Sequence, residues 1–128
     1  MGVPAAKQGD QVTGQDLHLI QPFAPGPPVP TPLPFAGIIN GGLSSNVNIM
    51  GMPAATMNST AANTPPHIPP GGTFVKPPSN QATIITGSAT VMINGTPAAR
   101  NGDTATTCND PADLPTGTIV AVGTVMIG

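Results

Sequence analysis

The sequence of 128 residues predicts an all-β protein, a small cone or prism of β-hairpins with approximate threefold symmetry. Three observations predict it. A short phrase built on proline, alanine and alanine occurs three times, at residues 2–10, 51–58 and 95–103. Strand-like segments with alternating faces precede the second and third copies. The chain ends in further segments of this kind, which no copy follows.

The first copy opens the chain, and no hairpin precedes it. The C-terminal segment, residues 117–128, has the pattern of a hairpin but lacks a copy after it. Because the two missing halves complement each other, we expect the C-terminal hairpin to lie beside the first copy and complete a third unit. A chain closed on itself in this way has few free strand edges.

The second and third copies each follow a predicted hairpin. Residues 37–41 and 46–51 precede the second copy, and residues 82–87 and 90–95 precede the third. Each unit therefore consists of a strand, a glycine turn, a second strand and then a tight corner.

Two aspartates, Asp10 and Asp103, follow glycine at the same position of the repeat, with Asn58 near the matching place of the second copy. Paired carboxylates can act in acid–base catalysis. A shared position after glycine is instead typical of a turn in which the side chain accepts backbone hydrogen bonds. We therefore predict a turn role for both aspartates.

The 18 prolines concentrate in two long connections, residues 22–34 with seven and residues 65–78 with six, and the predicted hairpins contain none. Such a composition in an aperiodic chain would indicate a disordered linker protein, but the repeats argue against it. The connections are either solvated linkers or stiff polyproline segments that pack on the sheets. The three phenylalanines of the chain, Phe23, Phe35 and Phe74, favour packing.

Length and composition predict a single domain, residues 1–128, with an aliphatic core. Only 6% of the residues are charged and the formal net charge is −2, with Lys7, Lys76 and Arg100 as the basic residues. This balance disfavours nucleic acid and anionic lipid as partners.

The sequence has no apolar run long enough to span a membrane, which predicts no stable membrane insertion. The N-terminus lacks the basic and apolar regions of a secretory signal peptide. We therefore expect synthesis in the cytoplasm without a signal peptide.

One soft metal ligand follows each copy of the phrase: His18, His67 and Cys108. In a threefold arrangement equivalent positions converge, so these side chains would meet at one end of the molecule. Histidine and cysteine are the preferred zinc ligands, and a closed structural site stabilises a small fold. The alternative is that the three are unrelated, with both histidines in solvated loops and the cysteine a small buried apolar residue.

A tetrahedral site needs a fourth ligand, and the predicted one is Asp16, two residues before His18. A water molecule or an asparagine would also serve. With three protein ligands and water in an open position, the alternative function is a small zinc-dependent hydrolase. That alternative does not explain the repeats, and the sequence contains no nucleophile, base and acid in an arrangement typical of a hydrolase.

The third copy carries a family resemblance. Residues 97–100 read Pro-Ala-Ala-Arg, residues 101–103 read Asn-Gly-Asp, and residues 91–95 precede them as Val-Met-Ile-Asn-Gly. This pattern resembles the PAAR-repeat proteins, and the resemblance extends over the whole chain. The first copy departs from it with Lys7 and the second with Thr56.

The resemblance implies a cone that caps the trimeric β-helical spike of a contractile injection machine, such as a type VI secretion system, a phage tail or a phage-like extracellular particle. It implies one tip per trimer of a valine-glycine-repeat-type spike protein, and a role in envelope puncture with effector delivery as a further role. It also implies a structural zinc held near the apex by histidine and cysteine, which carries over to His18, His67 and Cys108. No toxin-sized extension is attached, so we expect a stand-alone tip, exported as part of the particle.

Overall fold

The structure, a computed structural model, describes residues 2–128 as strands, turns and loops. These residues include no helix, and therefore none that could cross a membrane. The all-β prediction is confirmed. The strands are β1 (Val3–Pro4), β2 (Gln11–Pro22), β3 (Val29–Gly41), β4 (Asn48–Ile49), β5 (Met52–Pro53), β6 (Thr60–Asn63), β7 (Gly72–Phe74), β8 (Gln81–Ile84), β9 (Met92–Ile93), β10 (Thr96–Pro97), β11 (Thr104–Thr107), β12 (Leu114–Val120) and β13 (Met126–Ile127).

Six strands close into an antiparallel barrel in the order β2, β3, β6, β8, β11 and β12, with β12 pairing back onto β2. The registers repeat three times around it. Alternate residues of each strand point inward, because side chains alternate across a strand. The three matching pairs are Val12 with Gly37, Ala61 with Ala82, and Ala105 with Gly117. Small residues at these positions leave room for Ile39, Ile84 and Ile119, each at most 1% exposed, in the barrel core.

Three short hairpins surround one end of the barrel: β4 with β5, β9 with β10, and β1 with β13. Their registers are the same. Ile49 pairs with Met52, Ile93 with Thr96, and Ile127 with Val3. The C-terminal strand therefore lies beside the first copy of the repeat, so the prediction that the two ends complete a third unit is confirmed.

The centre of the threefold arrangement is a ring of alanines. Ala6 N donates to Ala99 O at 2.9 Å, Ala99 N donates to Ala55 O at 3.1 Å, and Ala55 N donates to Ala6 O at 3.1 Å. Each of the three residues is 0% exposed. The cyclic backbone hydrogen bonds hold the three segments so close together that each has room for only a methyl side chain. The Ala-Ala pair of the repeat is thus explained by packing.

A corner follows each alanine, and a side-chain oxygen holds it. In each corner a backbone N–H donates to a side chain three residues later, so the oxygen satisfies an otherwise free donor. The pairs are Lys7 with Asp10, Thr56 with Ser59, and Arg100 with Asp103. The predicted turn role of Asp10 and Asp103 is confirmed.

The second corner corrects the expected alignment of the copies. Asn58 has a φ of 75°, close to the 91° of Gly9 and the 90° of Gly102. Asparagine tolerates this left-handed conformation. Asn58 therefore matches the glycine of the other copies, and Ser59 matches the aspartate.

Strands β2 and β3 continue beyond the barrel as an arm. Their pairing runs from Gln11 with Ile38 as far as Ile20 with Val29. At 3.3 Å per residue, the β2 strand is roughly 35–40 Å long, and most of it lies past the barrel. Strand β7 pairs with the far end of β2, on the edge away from β3.

The prediction that residues 22–34 form a connection is wrong for residues 29–34, which belong to β3 of the arm. Strand β3 already begins at Val29, and only residues 23–28 form the loop. The alternation of Pro30, Pro32 and Pro34 is compatible with an edge strand. The backbone N–H and C=O groups of Leu17 and Leu19 point to the opposite edge of β2, where they form hydrogen bonds with residues 75, 109 and 110. Their partners Pro32 and Pro30 therefore direct their backbone nitrogens, which carry no hydrogen, to the free edge.

The second proline-rich segment, residues 65–78, contains β7 and packs against the arm. The phenylalanines that favoured packing divide into two groups. Phe35 is 2% exposed in the barrel core, and Phe74 lies against His18 with ring centroids 5.6 Å apart. Phe23, in contrast, is 80% exposed in the arm loop.

The alanine ring yields a stability prediction. We expect Ala55→Val to lower the free energy of unfolding by about 1–3 kcal/mol, because two extra methyl groups overfill the ring. The matched control is Ala89→Val, an exposed position in a loop. Denaturant unfolding of both variants measures the difference. Equal stability of the two variants would contradict the role given to the ring.

Candidate metal centre

The arm and two neighbouring segments bring four metal-type side chains together. The alternation of β2 places Asp16 and His18 on its buried face. His67 comes from the proline-rich loop that follows β6, and Cys108 follows β11 directly. One donor atom from each of the four lies within 4.8 Å of the others.

The four donor atoms lie close to one another, and the shortest distance, between Asp16 Oδ2 and His67 Nε2, is a hydrogen bond. Cys108 Sγ lies 3.7 Å from His18 Nε2 and 3.3 Å from Asp16 Oδ2. Asp16 Oδ2 lies 4.0 Å from His18 Nε2 and 2.7 Å from His67 Nε2. Two ligands of one tetrahedral zinc, one sulfur and one nitrogen, are about 3.6 Å apart, from bonds of 2.3 and 2.0–2.1 Å. Two nitrogens, one thiol and one carboxylate form a donor set of the kind zinc prefers.

The centre is buried. Asp16 and His18 are each 1% exposed and Cys108 is 3% exposed. The Asp16 carboxylate is stabilised there because the thiol of Cys108 and the hydroxyl of Thr107 donate to it. An ionised carboxylate at such depth requires hydrogen bonds or a cation.

One ring nitrogen of His18 lacks a hydrogen-bond partner in the part of the chain that the structure describes. Its Nδ1 is, within residues 2–128, the one buried side-chain nitrogen or oxygen atom without a hydrogen-bond partner. Asp110 Oδ2 lies 3.5 Å from this nitrogen and accepts the backbone N–H of Leu19. A histidine that binds metal through one nitrogen commonly donates from the other to a carboxylate. The unpartnered Nδ1 therefore fits a metal ligand whose second nitrogen faces Asp110.

The thiol of Cys108 is held in its protonated form. Burial, and then the hydrogen bond to Asp16, raise the pKa of Cys108 from 9.0 to about 11. In the metal-free protein the thiol therefore keeps its proton at neutral pH. A metal ion has to displace that proton to bind the sulfur.

Aromatic rings enclose the centre on the side of the arm. The ring centroids of His18 and His67 are 4.9 Å apart, and those of Phe35 and His67 are 6.2 Å apart. A small cavity of about 60 Å³ lies on the other side, beside Cys108 and His18, and is lined also by residues 76–79.

The structure brings together all four residues named from the sequence, with Asp16 as the fourth donor; their ligation of zinc stays a prediction. Counted from the matching corner residues Asp10, Ser59 and Asp103, His18 and His67 both lie eight residues on and Cys108 lies five, but their structural settings differ. His18 lies inside β2, His67 lies four residues after β6 ends, and Cys108 lies one residue after β11 ends. They converge because the loop after β6 and the residue after β11 meet the buried face of β2.

Sequence reasoning missed two supporting residues. Thr107 and Asp110 flank Cys108 at one and two residues' distance and contact Asp16 and His18. Their proximity to a predicted ligand was a signal, but neither type is specific for metal sites.

A closed β-barrel with three equivalent hairpins at one end and a buried cluster of soft donors beyond the other defines the class of small, pseudo-threefold β-cones. The family model described as the PAAR motif matches residues 34–112 and 75–128. The chain therefore belongs to the PAAR motif family, and it is a spike-tip-type protein of contractile injection systems. The family consists of structural tip proteins, which sit on the valine-glycine-repeat spike, and is not a family of enzymes. A comparison with curated proteins found no match.

The raised pKa of Cys108 makes a direct prediction for the metal-free protein. At pH 8 the thiolate fraction should be roughly 100-fold lower than for a thiol of pKa 9, so alkylation by iodoacetamide should be at least that much slower. The control is the same protein unfolded in guanidinium. Mass spectrometry follows the reaction. Equal rates in the folded and unfolded protein would show that the thiol is neither buried nor protonated.

Proposed function

We propose that this protein caps the trimeric spike of a contractile injection machine, with its hairpin end against the spike and its arm leading. The observation that supports this most is the identical register of the three hairpins around the alanine ring. A tip with three equivalent contact units can bind one threefold partner with every unit engaged. This predicts one tip per trimer.

The proposed docking surface, called the hairpin face, consists of exposed apolar side chains on the three hairpins and the loops before them. Its members carry no charge, and methionine adapts to contacts that are only approximately equivalent. An exposed apolar surface of this kind indicates an interaction site. The members are Val3, Met50, Met52, Met92, Val122, Val125 and Met126.

Contacts between hairpins support the hairpin face as a unit. Each hairpin tip touches the loop that precedes another hairpin. Asn94 Nδ2 donates to Asn46 Oδ1 at 2.7 Å, and the hydroxyl of Ser88 donates to the carbonyl of Gly128. The backbone N–H of Thr124 lies 3.4 Å from Met50 Sδ. These contacts close a ring, so the three contact units move together.

We propose zinc as the metal of the centre, in a structural role. A bound zinc would connect β2, the loop after β6 and the residue after β11, three segments far apart in sequence. The affinity of such a site contributes directly to the stability of the fold. The arm then stays rigid under axial load.

We further propose how the protein is made, exported and delivered. It is made in the bacterial cytoplasm without a signal peptide, folds as one domain over residues 1–128, and leaves the cell on the particle. Contraction drives the arm through a target envelope, and secreted effectors travel with it.

Docking is tested with a charge on the hairpin face. We expect Met92→Asp to weaken binding of the purified spike trimer at least tenfold, because a carboxylate would be desolvated at the joint. Val122 is not used for this test, since Lys7 Nζ lies 2.6 Å from its carbonyl oxygen and could pair with a new carboxylate. The control is Ile68→Asp, which places the same charge on another exposed residue, 74% exposed against 54% for Met92, away from the hairpin face. Calorimetric titration gives affinity and stoichiometry. No association of the unchanged protein at micromolar concentration would contradict the proposal.

The zinc proposal is tested by elemental analysis and chelation. We expect about one zinc per chain, loss of metal in Cys108→Ser and Asp16→Asn, and a lower melting temperature of the unchanged protein after chelation. Asp113→Asn, an exposed carboxylate near the cavity, is the control. Because the pKa of Cys108 is about 11, zinc displaces its proton, and affinity should fall about tenfold for each pH unit lowered from this group alone. A zinc-dependent hydrolytic turnover would support the enzyme alternative instead.

A further inference from the structure

All four residues of the segment 107–110, which begins with the last residue of β11, contact β2. This segment is called the supporting segment. The backbone N–H of Asp110 donates to the carbonyl of Leu17 at 2.8 Å, and the N–H of Leu17 donates to Asn109 Oδ1 at 2.7 Å. Asp110 Oδ2 accepts the N–H of Leu19 at 2.8 Å. The supporting segment is therefore held against the strand that carries two of the four donors of the metal centre.

His18 has one ring nitrogen inside the donor cluster and one outside it. Nε2 lies 3.7 Å from Cys108 Sγ, whereas Nδ1, which has no partner among the described residues, lies 3.5 Å from Asp110 Oδ2. An N–H···O hydrogen bond spans roughly 2.7–3.2 Å, so a ring shift of about half an ångström would form one. His18 is 1% exposed, and a buried N–H without an acceptor is costly. Asp110 is placed to be that acceptor.

Asp16 likewise has one oxygen inside the cluster and one outside it. Oδ2 lies 3.3 Å from Cys108 Sγ, and Oδ1 accepts the hydroxyl of Thr107. A hydroxyl has one proton to donate, so Thr107 Oγ1 acts as an acceptor toward its other neighbours. These are Asn109 Nδ2 at 3.2 Å and the hydroxyl of Thr116 at 2.7 Å. Because Thr107 is 0% exposed, its hydroxyl stays directed at Asp16.

We propose that Thr107 and Asp110 determine which atoms of β2 bind the metal. Asp110 keeps a proton on Nδ1 of His18 and leaves Nε2 as the donor, the arrangement that carboxylates impose on metal-bound histidines. Thr107 occupies Oδ1 of Asp16, so the carboxylate offers one oxygen instead of two. The inference rests on the metal centre proposed above and assigns the two residues that position its donors.

The consequence is a preference among metals. With one donor atom from each of four side chains, the site suits an ion that takes four ligands in a tetrahedron, as zinc does. Calcium takes roughly six to eight oxygen ligands and magnesium requires near-octahedral geometry. A carboxylate free to bind through both oxygens would weaken this preference. The supporting segment therefore selects the class of metal as well as its position.

Cobalt substitution tests the role of Thr107, because Co²⁺ absorbs visible light more strongly in four-coordinate sites than with five or six ligands. We expect Thr107→Val, which removes the hydroxyl, to lower the absorption per bound cobalt at least twofold. The matched control is Thr107→Ser, which keeps the hydroxyl and should keep the spectrum. Denaturant unfolding of the metal-free variants measures the effect of each substitution on the fold. Equal cobalt spectra of the valine and serine variants would contradict the role of Thr107.

Asp110→Asn tests the role of the second residue. An asparagine oxygen can still accept the backbone N–H of Leu19, but it is a weaker acceptor for the imidazole because it carries no charge. We expect zinc affinity, measured by competition with a chromophoric chelator, to fall at least about tenfold. Asp113→Asn, an exposed position beside the same cavity, should keep the affinity of the unchanged protein. Equal affinity of both asparagine variants would refute the assignment of Asp110.

Nitrogen-15 NMR of the metal-free protein separates this inference from the zinc proposal. We expect the proton of neutral His18 on Nδ1 in the unchanged protein, and on both nitrogens in part in Asp110→Asn. A proton on Nε2 of His18 in the unchanged protein would overturn the inference even if zinc binds. A proton on Nδ1 in a protein that binds no zinc would instead refute the zinc proposal and support the position assigned to the proton.

Discussion

The structure depends on the cyclic hydrogen bonds among Ala6, Ala55 and Ala99. Each backbone donates to one neighbour and accepts from the other, so no segment can shift along its own direction without breaking two bonds. This fixes the register of the three hairpins on one side and of the barrel strands on the other. It also explains why the repeated phrase contains two alanines after proline: the first, at 2% exposure or less, packs under the hairpins, and the second forms the ring. The charged residues of the corners complete the turns that leave it, and Lys7 also donates from Nζ to the carbonyl of Val122 at 2.6 Å.

The arm breaks the symmetry that the ring imposes, and the metal centre follows from the break. Beyond the barrel only β2 and β3 continue, which leaves the buried face of β2 without equivalent strands to cover it. The loop after β6 and the residues after β11 close over that face instead. They contribute His67 and Cys108 to a site whose other two donors, Asp16 and His18, lie on one strand. A strictly threefold molecule would place identical residues around its axis. This one collects four different donors beside it.

The sequence predicted the features that arise from local repetition. Matching phrases, glycine turns and complementary chain ends led to the hairpins and their closure, because these depend on short-range pattern. The proline-rich segments resisted prediction. A sequence with alternating prolines predicts an extended linker. Only the pairing with β2 shows that the proline nitrogens face the unpaired edge of β3. The four candidate donors were named from residue type, but their structural settings depend on how far the arm extends, which no pattern in residues 22–34 reveals. Thr107 and Asp110 are of common types, so only contact with Asp16 and His18 identifies them.

In the proposed function, load on the tip would connect these parts. A two-stranded hairpin is marginally stable in water by itself, and an arm that leads a contracting spike has to resist bending. Three features reinforce this arm. Strand β7 adds a third strand at its far end, Phe74 packs beside His18 of the arm, and the donor cluster lies where the arm leaves the barrel. We expect the arm to bend most where it leaves the barrel. On one side of that point β2 and β3 belong to the closed barrel, and on the other side they pair mainly with each other. The cluster lies at this point. A metal at that point would couple the arm to β11 and so to the alanine ring. Force applied at the hairpin face would then reach the loop at the end of the arm, residues 23–28, through a continuous set of short, directional bonds.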